Sequence, residues 1–382
     1  MSYDVMQLRQ AEFPWAGETT YLDHAAIGPL PERTRLACDE MNLRRSRPYE
    51  LGHDFLFGAL AAARVEAAAL IGADPGEIAL TTNTSFGLGM AARALPFEPG
   101  DVVLASDREF PANVYPWKRL GDRGVALELV PCTAEGWPDE ERLLERLAEP
   151  GVRCLAVSLT QFANGYTVDL ARLSAETRAR GQFLVVDAIQ ALGQIPVDVT
   201  ATPVDVLACG GQKWLLSPWG SGFVYVRRDL VPALDPAITG WMAFEGTDDF
   251  TRLTHYRDQL RSDARRFELI SLPFQDFVGM IQSVRLLREL GVASVQAHLA
   301  ELQRPVVEWA ARRGVPVTSP TGRAASGIVC VAPPRLEESF RALRAGRVVC
   351  GMREGSIRLS PHCYNTIAEM ERVTDILAQG LA

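Results

Sequence analysis

Lys213 is one of two lysines in a chain of 382 residues, and its setting is suited to chemistry. In the stretch LACGGQKWLLSPWGSGFVYV it follows Gly210 and Gly211, which let the backbone approach a ligand closely because neither carries a Cβ atom. An amine held between two strands among apolar side chains should have a lowered pKa and could form a Schiff base. A surface lysine that reaches solvent from a loop fits the same local sequence, so Lys213 alone leaves both interpretations open.

Asp187 and Gln190 form a second candidate group. Asp187 ends FLVVD, a strongly apolar predicted strand, and α/β sheets bind ligands outside the carboxyl ends of their strands. Gln190 follows three residues later and would share a helical face with Asp187. A carboxylate there could keep a pyridine nitrogen protonated, while the amide reaches a neighbouring ring oxygen. A helix N-cap is the alternative role for Asp187.

The stretch TTNTSFGLG supplies a candidate anion site. Thr84 or Ser85 is predicted to cap an amphipathic helix that begins here. The unpaired backbone N–H groups at a helix N-terminus bind phosphate. Capping without an anion explains these two residues equally well. Together with Lys213 and Asp187, however, they describe a site for pyridoxal 5′-phosphate (PLP).

Apolar runs that alternate with helical patterns predict the fold that positions these residues. They indicate a mostly parallel α/β sheet covered on both faces, and the runs are DVVLAS, ALELVPC, CLAVSL, FLVVDA, VDVLAC and FVYVRR. The pattern then changes, and helices near 274–290 and 293–313 precede short strands. We predict an N-terminal segment at 1–20 that packs on the small domain, a large PLP-binding domain at 21–254 and a small C-terminal α+β domain at 255–382.

Composition excludes several classes of function. A net charge of −8 and a pI near 5.3 argue against a nucleic-acid partner, which needs a basic face. No apolar run approaches the roughly 18 to 20 residues of a membrane span, and the N-terminus lacks a signal-peptide pattern. We therefore expect a cytoplasmic protein without a membrane partner. Seven cysteines without a CxxC pair and five histidines without ligand spacing predict no metal site.

Segments spread over nearly the whole chain resemble the class V aminotransferase family of fold-type I PLP enzymes. They are YLDHAAIGPLP, TTNTSFG, DREFPANVYPW, VVDAIQALGQIPVDV, GGQKWLLSPWGSGFVYV, RRFE and IRLSPHCYNTIAEMERV. This family includes cysteine desulfurases, selenocysteine lyases, kynureninase and isopenicillin N epimerase. The resemblance implies that Lys213 binds PLP as a Schiff base, that Asp187 pairs with the pyridine nitrogen and that Gln190 contacts the phenolic oxygen. Thr84 and Ser85 match the family's phosphate-binding pair.

The resemblance also implies roles for a further set of residues. Gln212 stands where desulfurases carry a histidine that touches phosphate, and Phe110 stands where they stack a histidine on the cofactor ring. Ser271 matches a hydroxyl that reaches the partner subunit's phosphate, which implies a homodimer with shared active sites. Arg358 matches the arginine that binds the substrate α-carboxylate, a bidentate task suited to a guanidinium. His24 lies beside an active-site segment and could line the substrate pocket, although ordinary packing explains it as well.

Two positions depart from the family pattern beside the cofactor. Phe110 keeps the stacking but removes a titratable group, so the proton transfers assigned to that histidine must come from elsewhere. Ile270 replaces the usual glycine before Ser271. The family's asparagine corresponds to Phe162 by strict spacing or to Asn164 by residue type, and both registers stay open.

The segment before Arg358 bears on the type of reaction. Cys350 is the only cysteine shortly before this arginine, and its neighbours predict a strand and a tight turn. A persulfide-forming thiol needs a mobile loop, so we expect a buried structural cysteine. Arg353 is either a second contact to a substrate anion or a turn residue.

We therefore expect a PLP-dependent enzyme that removes the Cα proton of an α-amino acid through Lys213. Transamination or β-elimination of the C–S lyase type would follow, and an epimerase or a cysteine desulfurase is the alternative within the family. An NAD-binding dehydrogenase is disfavoured because the GLG at 87–89 lies inside a predicted helix and completes no dinucleotide fingerprint. A non-catalytic scaffold is disfavoured because nearly every cofactor-contacting residue type is present.

Overall fold

Short apolar runs form the strands of the computed structural model, which describes residues 3–236 and 238–380. In chain order they are β1 (Thr20–Tyr21), β2 (Ile78–Thr81), β3 (Val102–Ser106), β4 (Ala126–Val130), β5 (Val152–Ser158), β6 (Phe183–Asp187), β7 (Val206–Gly210), β8 (Gly222–Val226), β9 (Val329–Val331), β10 (Val348–Val349), β11 (Gly351–Arg353) and β12 (Ser356–Leu359).

Helices connect and cover these strands. In chain order they are α1 (Val5–Glu12), α2 (Glu32–Arg45), α3 (His53–Ile71), α4 (Thr84–Ala94), α5 (Tyr115–Lys118), α6 (Glu140–Leu147), α7 (Leu170–Ala179), α8 (Phe274–Leu290), α9 (Val292–Arg313), α10 (Leu336–Ala345) and α11 (Ile367–Gly380). In the sparsely periodic stretch at 241–270, the helical elements are all short 3₁₀ turns. None of the helices in the described residues is long and apolar enough to cross a membrane.

Within the described residues, seven strands form the central sheet in the order β2-β8-β7-β6-β5-β3-β4. The neighbours from β7 to β4 are parallel, whereas β8 runs antiparallel to both β7 and β2. The prediction of a mostly parallel α/β sheet is confirmed. Because β5, β6 and β7 run in the same direction, their carboxyl ends meet at one edge, where Asp187 pairs in register with Ser158 and Ala208.

Helices cover both faces of the sheet, which explains why its central strands are apolar throughout. Leu184 and Val186 of β6 face a cluster that includes side chains of α3. Val185 faces the opposite cluster, which includes side chains of α4. Helix α4 packs very close to the sheet, since a Cβ atom at Gly87 would lie 2.4 Å from Val224 Cγ2. The first glycine of the GLG motif is therefore a packing feature.

The C-terminal part contains a three-stranded antiparallel sheet in the order β11-β12-β9, again counting described residues only. The N-terminal segment lies against this part, because β1 pairs with β10 and Arg9 forms an ion pair with Glu369 of α11 at 2.8 Å. Helix α8 packs instead on α2 and α3, where Thr34 Oγ1 lies 2.7 Å from Ser283 Oγ. The domain boundaries at 20 and 254 stay predictions.

Candidate active site

Asp187 lies at the carboxyl end of β6, in the middle of the sheet edge, and is only 2% exposed. Its Oδ1 accepts a hydrogen bond from the Ile189 N–H at 3.0 Å, and Oδ2 has no hydrogen-bond partner among the described residues. Burial raises the pKa of Asp187 to about 7, against the lowering by the Ile189 N–H, and the Glu109 charge adds to the rise. A cation bound against Oδ2 would stabilise the charged carboxylate and lower its pKa again.

Lys213 follows the end of β7 by three residues. Its turn packs against the N-terminal segment, because the Gly28 N–H donates to the Gln212 carbonyl at 2.8 Å and a Cβ at Gly28 would lie 2.1 Å from the Lys213 carbonyl oxygen. Burial lowers the pKa of Lys213 to about 8, which Asp187 opposes and Arg358 reinforces. A much larger neutral fraction of the amine is therefore present near neutral pH than for an ordinary lysine.

Arg358 lies on β12 with 1% of its surface exposed. Its Nη1 donates to the Phe162 carbonyl at 2.8 Å, and Nη2 donates to Asp23 Oδ1 at 3.2 Å. Its Nε is buried and has no partner in the part of the chain that the structure describes. Because buried N–H groups are almost always paired, this unpaired donor indicates a place for an anionic ligand.

The start of α4 lies beside β7. Thr84 Oγ1 accepts a hydrogen bond from the Gly210 N–H at 2.8 Å, which joins the helix to the sheet edge. The expectation that Thr84 or Ser85 caps this helix is wrong, because the cap is Asn83, whose Oδ1 accepts from the Phe86 N–H at 2.9 Å. Among residues 3–236 and 238–380, no group accepts from the backbone N–H of Thr84 or Ser85. These two donors suit a phosphate.

Gln190 and Gln212 differ in how freely their amides can reach a ligand. Gln190 is buried, and its Nε2 donates to the Ala25 carbonyl at 2.9 Å while its Oε1 accepts from Trp214 Nε1 at 2.8 Å. One N–H of that amide is left over, so its contact with a ring oxygen stays a prediction. Gln212 is half-buried, and its Oε1 lies 2.6 Å from where a Cβ atom of Gly210 would be.

His24 does not line a pocket, which corrects its assignment to substrate binding. It is fully buried, its Nδ1 lies 2.7 Å from the Ser360 carbonyl oxygen and its Nε2 lies 3.0 Å from Tyr364 Oη. Burial holds the pKa of His24 well below its usual value, and His362 lowers it further. With both ring nitrogens engaged, His24 joins the N-terminal segment to the C-terminal part and offers nothing to a substrate.

Phe110 and Phe162 form an aromatic wall beside the Lys213 amine. Their ring centroids lie 5.2 Å apart at an interplanar angle of 75°, and Lys213 Nζ lies 5.6 Å from the Phe110 centroid. The side chain of Asn164 is used elsewhere, since it donates to the Gly136 carbonyl at 2.9 Å and accepts from the Tyr166 N–H. Of the two registers left open by the sequence, the structure therefore brings Phe162 to the site.

Glu109 and Asp23 are site residues that the sequence analysis missed. Glu109 is buried next to Phe110 and accepts hydrogen bonds from the Ser158 N–H, the Ser158 hydroxyl, Gln161 and Asn113. Its only sequence signal is an acidic residue directly before the aromatic of EFPAN. Asp23, the carboxylate that holds Arg358, is separated from it by 335 residues, and no local pattern marks the pair.

No cysteine is placed to act as a thiolate nucleophile in the described part of the chain, which contains all seven. Cys350 is buried, and burial raises the pKa of its thiol to about 12, with Asp23 adding to the rise. The two half-buried cysteines, Cys38 and Cys132, each have a thiol pKa raised by burial to about 11. The turn between β11 and β12 spans only Glu354 and Gly355, so no long loop carries a thiol towards Arg358.

This α/β fold, with its mostly parallel seven-stranded sheet, is that of PLP-dependent enzymes. Comparison with known families identifies Aminotransferase class-V over residues 20–373, and the chain belongs to this family. It is accordingly a PLP-dependent enzyme.

Individual relatives cover most of the chain. An uncharacterized aminotransferase, YcbU, of Bacillus subtilis is 31% identical, over 83% of this chain and 82% of the relative. An isopenicillin N epimerase of Streptomyces clavuligerus is 28% identical over 93% of each chain. The apo structure of a cysteine desulfurase from Thermococcus onnurineus superimposes with a TM-score of 0.88 at 24% identity, covering 98% of this chain and 97% of that one. This last likeness concerns the fold alone.

Proposed function

We propose that this protein catalyses transamination or β-elimination of an α-amino acid, with Lys213 as the one group that carries the Cα proton. The observation that supports this most directly is the setting of the Lys213 amine. It is desolvated, and it is electrostatically coupled to both the buried carboxylate of Asp187 and the guanidinium of Arg358. An amine and an acid at the edge of the central sheet are thereby brought within electrostatic reach of a candidate carboxylate receptor on β12.

The residues present fit PLP as the cofactor. Lys213 offers an amine of lowered pKa to its aldehyde, and Asp187 offers an unpaired oxygen to its pyridine nitrogen. Thr84 and Ser85 offer two backbone N–H groups to its phosphate, and Phe110 offers a ring face. Gln190 and Gln212 complete the proposed set. Bound there, PLP supplies an electron sink that stabilises negative charge at the substrate Cα.

Arg358 is proposed to bind the substrate α-carboxylate. The Phe162 carbonyl and Asp23 hold two of its nitrogens, which fixes the plane of the guanidinium and leaves Nε for a ligand. Gly351 keeps this place open, because a Cβ atom there would lie 3.4 Å from Arg358 Nε. Binding at a fixed guanidinium orients the Cα proton towards the base that removes it.

Lys213 is proposed to take that proton and to return it. A pKa of about 8 suits a general base that works near neutral pH. The Phe110 and Phe162 wall beside the amine carries no titratable group, and the neighbouring Glu109 accepts four hydrogen bonds. A single carrier returns the proton to the face from which it came, which disfavours epimerisation. The raised pKa of the Cys350 thiol disfavours a protein persulfide.

Proton exchange in D₂O tests this proposal. The PLP-loaded protein is incubated with a panel of L-amino acids, and NMR follows the Cα proton signal while chiral chromatography follows the configuration. We expect Cα deuteration with retained L configuration, accompanied by an oxo-acid product for some substrates. A Cys350→Ser control should exchange at the wild-type rate. Accumulation of D-amino acid would contradict a single proton carrier, and loss of turnover in Cys350→Ser would favour a desulfurase.

We also propose a homodimer in which Ser271 reaches the partner subunit's phosphate. Ser271 is exposed, in a surface groove that it shares with Met41 and Arg45. Trp241 and Tyr256, which are 43% and 87% exposed, line one surface groove, and contiguous exposed apolar surface is typical of interfaces. Sedimentation equilibrium should report about twice the 41.9 kDa of one chain, and Ser271→Ala should weaken PLP binding without dissociating the dimer. A monomer at micromolar concentration would contradict this.

A further inference from the structure

The antiparallel pair β11 and β12 places two arginines on one face. Gly351 is the cross-strand partner of Arg358, and Ser356 is the partner of Arg353. Directly opposed residues share a sheet face, as do residues two apart along one strand. Arg353 therefore lies on the same face as Arg358, diagonally across the strand pair, with a Cα separation of about 7 to 8 Å.

The guanidinium of Arg353 has no carboxylate partner within residues 3–236 and 238–380. Arg353 is exposed, and its Nη1 donates only to the carbonyl of the adjacent Met352 at 2.8 Å. Its neighbour Glu354 forms no ion pair with it within those ranges. The Arg353 charge nevertheless acts on the site residues, because it lowers the pKa values of Lys213, Asp23 and Arg358. A cation that shares a sheet face with Arg358 and has no carboxylate partner among the described residues is available to a second anionic group.

We propose that Arg353 is a specificity-determining residue that binds a side-chain carboxylate of the substrate, so that the preferred substrates are dicarboxylic amino acids. This inference rests on the proposed function, since it assumes that Arg358 binds the α-carboxylate. Gly351, which is directly opposite Arg358 and two residues before Arg353 on the same face, adds no side chain beside either arginine. Among the described residues Asp23 is the one carboxylate that forms an ion pair with either arginine, so a single negative charge faces two positive charges. A dianionic ligand therefore complements this face better than a monoanion does.

Calorimetry with unreactive ligands tests this directly on the PLP-loaded protein. Glutarate, with two carboxylates, is compared with butyrate, with one. We expect wild type to bind glutarate more tightly than butyrate. Arg353→Gln should weaken glutarate roughly tenfold, as expected for loss of a hydrogen bond to a charged group, and should leave butyrate within about twofold. Arg353→Lys should recover part of the preference, because it keeps the charge but loses the planar fork.

Arg341→Gln is the matched control, because Arg341 is also exposed and, within the described ranges, also bonds only a backbone carbonyl, that of Glu337. It should bind both ligands as wild type does. Equal weakening of glutarate and butyrate in Arg353→Gln, or no weakening of either, would overturn the inference. The KM values should follow the same pattern: Arg353→Gln should raise the KM for glutamate and leave the KM for glutamine unchanged. If no amino acid exchanges its Cα proton in wild type, the proposed function fails, while the glutarate measurement still decides the role of Arg353.

Discussion

Lys213→Ala is expected to lower kcat by at least about a thousandfold, because general acid–base and covalent contributions are lost together. The variant should fold, since Lys213 Nζ makes no hydrogen bond or ion pair within the described residues whose loss would cost stability. Steady-state kinetics on the best substrate from the amino-acid panel gives the rate. Circular dichroism and a thermal melt verify the fold.

Lys118→Ala is the matched control for this prediction. Lys118 is the other lysine of the chain, and it is exposed at the end of α5. Its removal changes the lysine count and the net charge by the same amount, yet it should leave kcat unchanged. Near-normal turnover in Lys213→Ala, or equal losses in both variants, would show that Lys213 is not the reactive amine.

Asp187→Asn is expected to lower kcat by roughly a hundredfold to a thousandfold, the range measured when one preorganised electrostatic group is removed from an active site. The amide keeps the size of the side chain but cannot supply the negative charge that holds a pyridine nitrogen protonated. Kinetics and the dissociation constant for PLP should both change in this variant.

Asp187→Asn should stabilise the apoprotein, although it lowers kcat. The folded pKa of Asp187 is about 7, above the ordinary value of 3.8, so its favourable contribution is present below about pH 4 and is lost as the pH rises through 7. Apo Asp187→Asn has no carboxyl group to ionise at this position, so it does not lose this stability as the pH rises. At pH 8 it should melt at a higher temperature than apo wild type, while gaining less from added PLP. An unchanged melting temperature together with an unchanged kcat would contradict the role of Asp187.

Asp205→Asn separates this effect from a general response to replacing a buried carboxylate. Asp205 is also buried, directly before β7, but it accepts from the Leu184 N–H at 2.7 Å and pairs with Arg227 at 2.9 Å. Burial raises the pKa of Asp205 as well. However, Asp205→Asn removes the carboxylate that joins Arg227, directly after β8, to the start of β7, and breaking one side of a buried ion pair is strongly destabilising, so the apoprotein should melt at a lower temperature. The kcat of the folded fraction should stay at the wild-type value.

The parts of the site that were foreseen depend on local sequence. Asp187 ends an apolar strand, and Lys213 follows another after two glycines. The rule that ligands bind at the carboxyl edge of a parallel sheet therefore predicts from sequence alone that the two lie at the same edge. The fold followed from the alternation of apolar runs and helical patterns, because covered parallel strands must be apolar on both faces.

The parts that were missed depend on contacts between distant segments. His24 has the same neighbours in sequence whether it lines a pocket or packs in the core, and only Ser360 and Tyr364 decide between these. Asp23 belongs to the site only because the fold places Arg358 against it. The helix cap is Asn83 and not the predicted Thr84, because the Thr84 hydroxyl accepts from the Gly210 N–H of a strand far along the chain. No spacing within one segment encodes such pairings.

Borohydride reduction of the PLP-loaded protein, followed by peptide mass mapping, tests the central claim most directly. Reduction makes the bond between PLP and its lysine permanent, so the labelled residue can be read from a proteolytic digest. We expect the yellow colour to bleach and the mass of reduced PLP to appear on Lys213 alone. Label on Lys118, or bleaching without any labelled lysine, would contradict Lys213 as the amine that holds the cofactor.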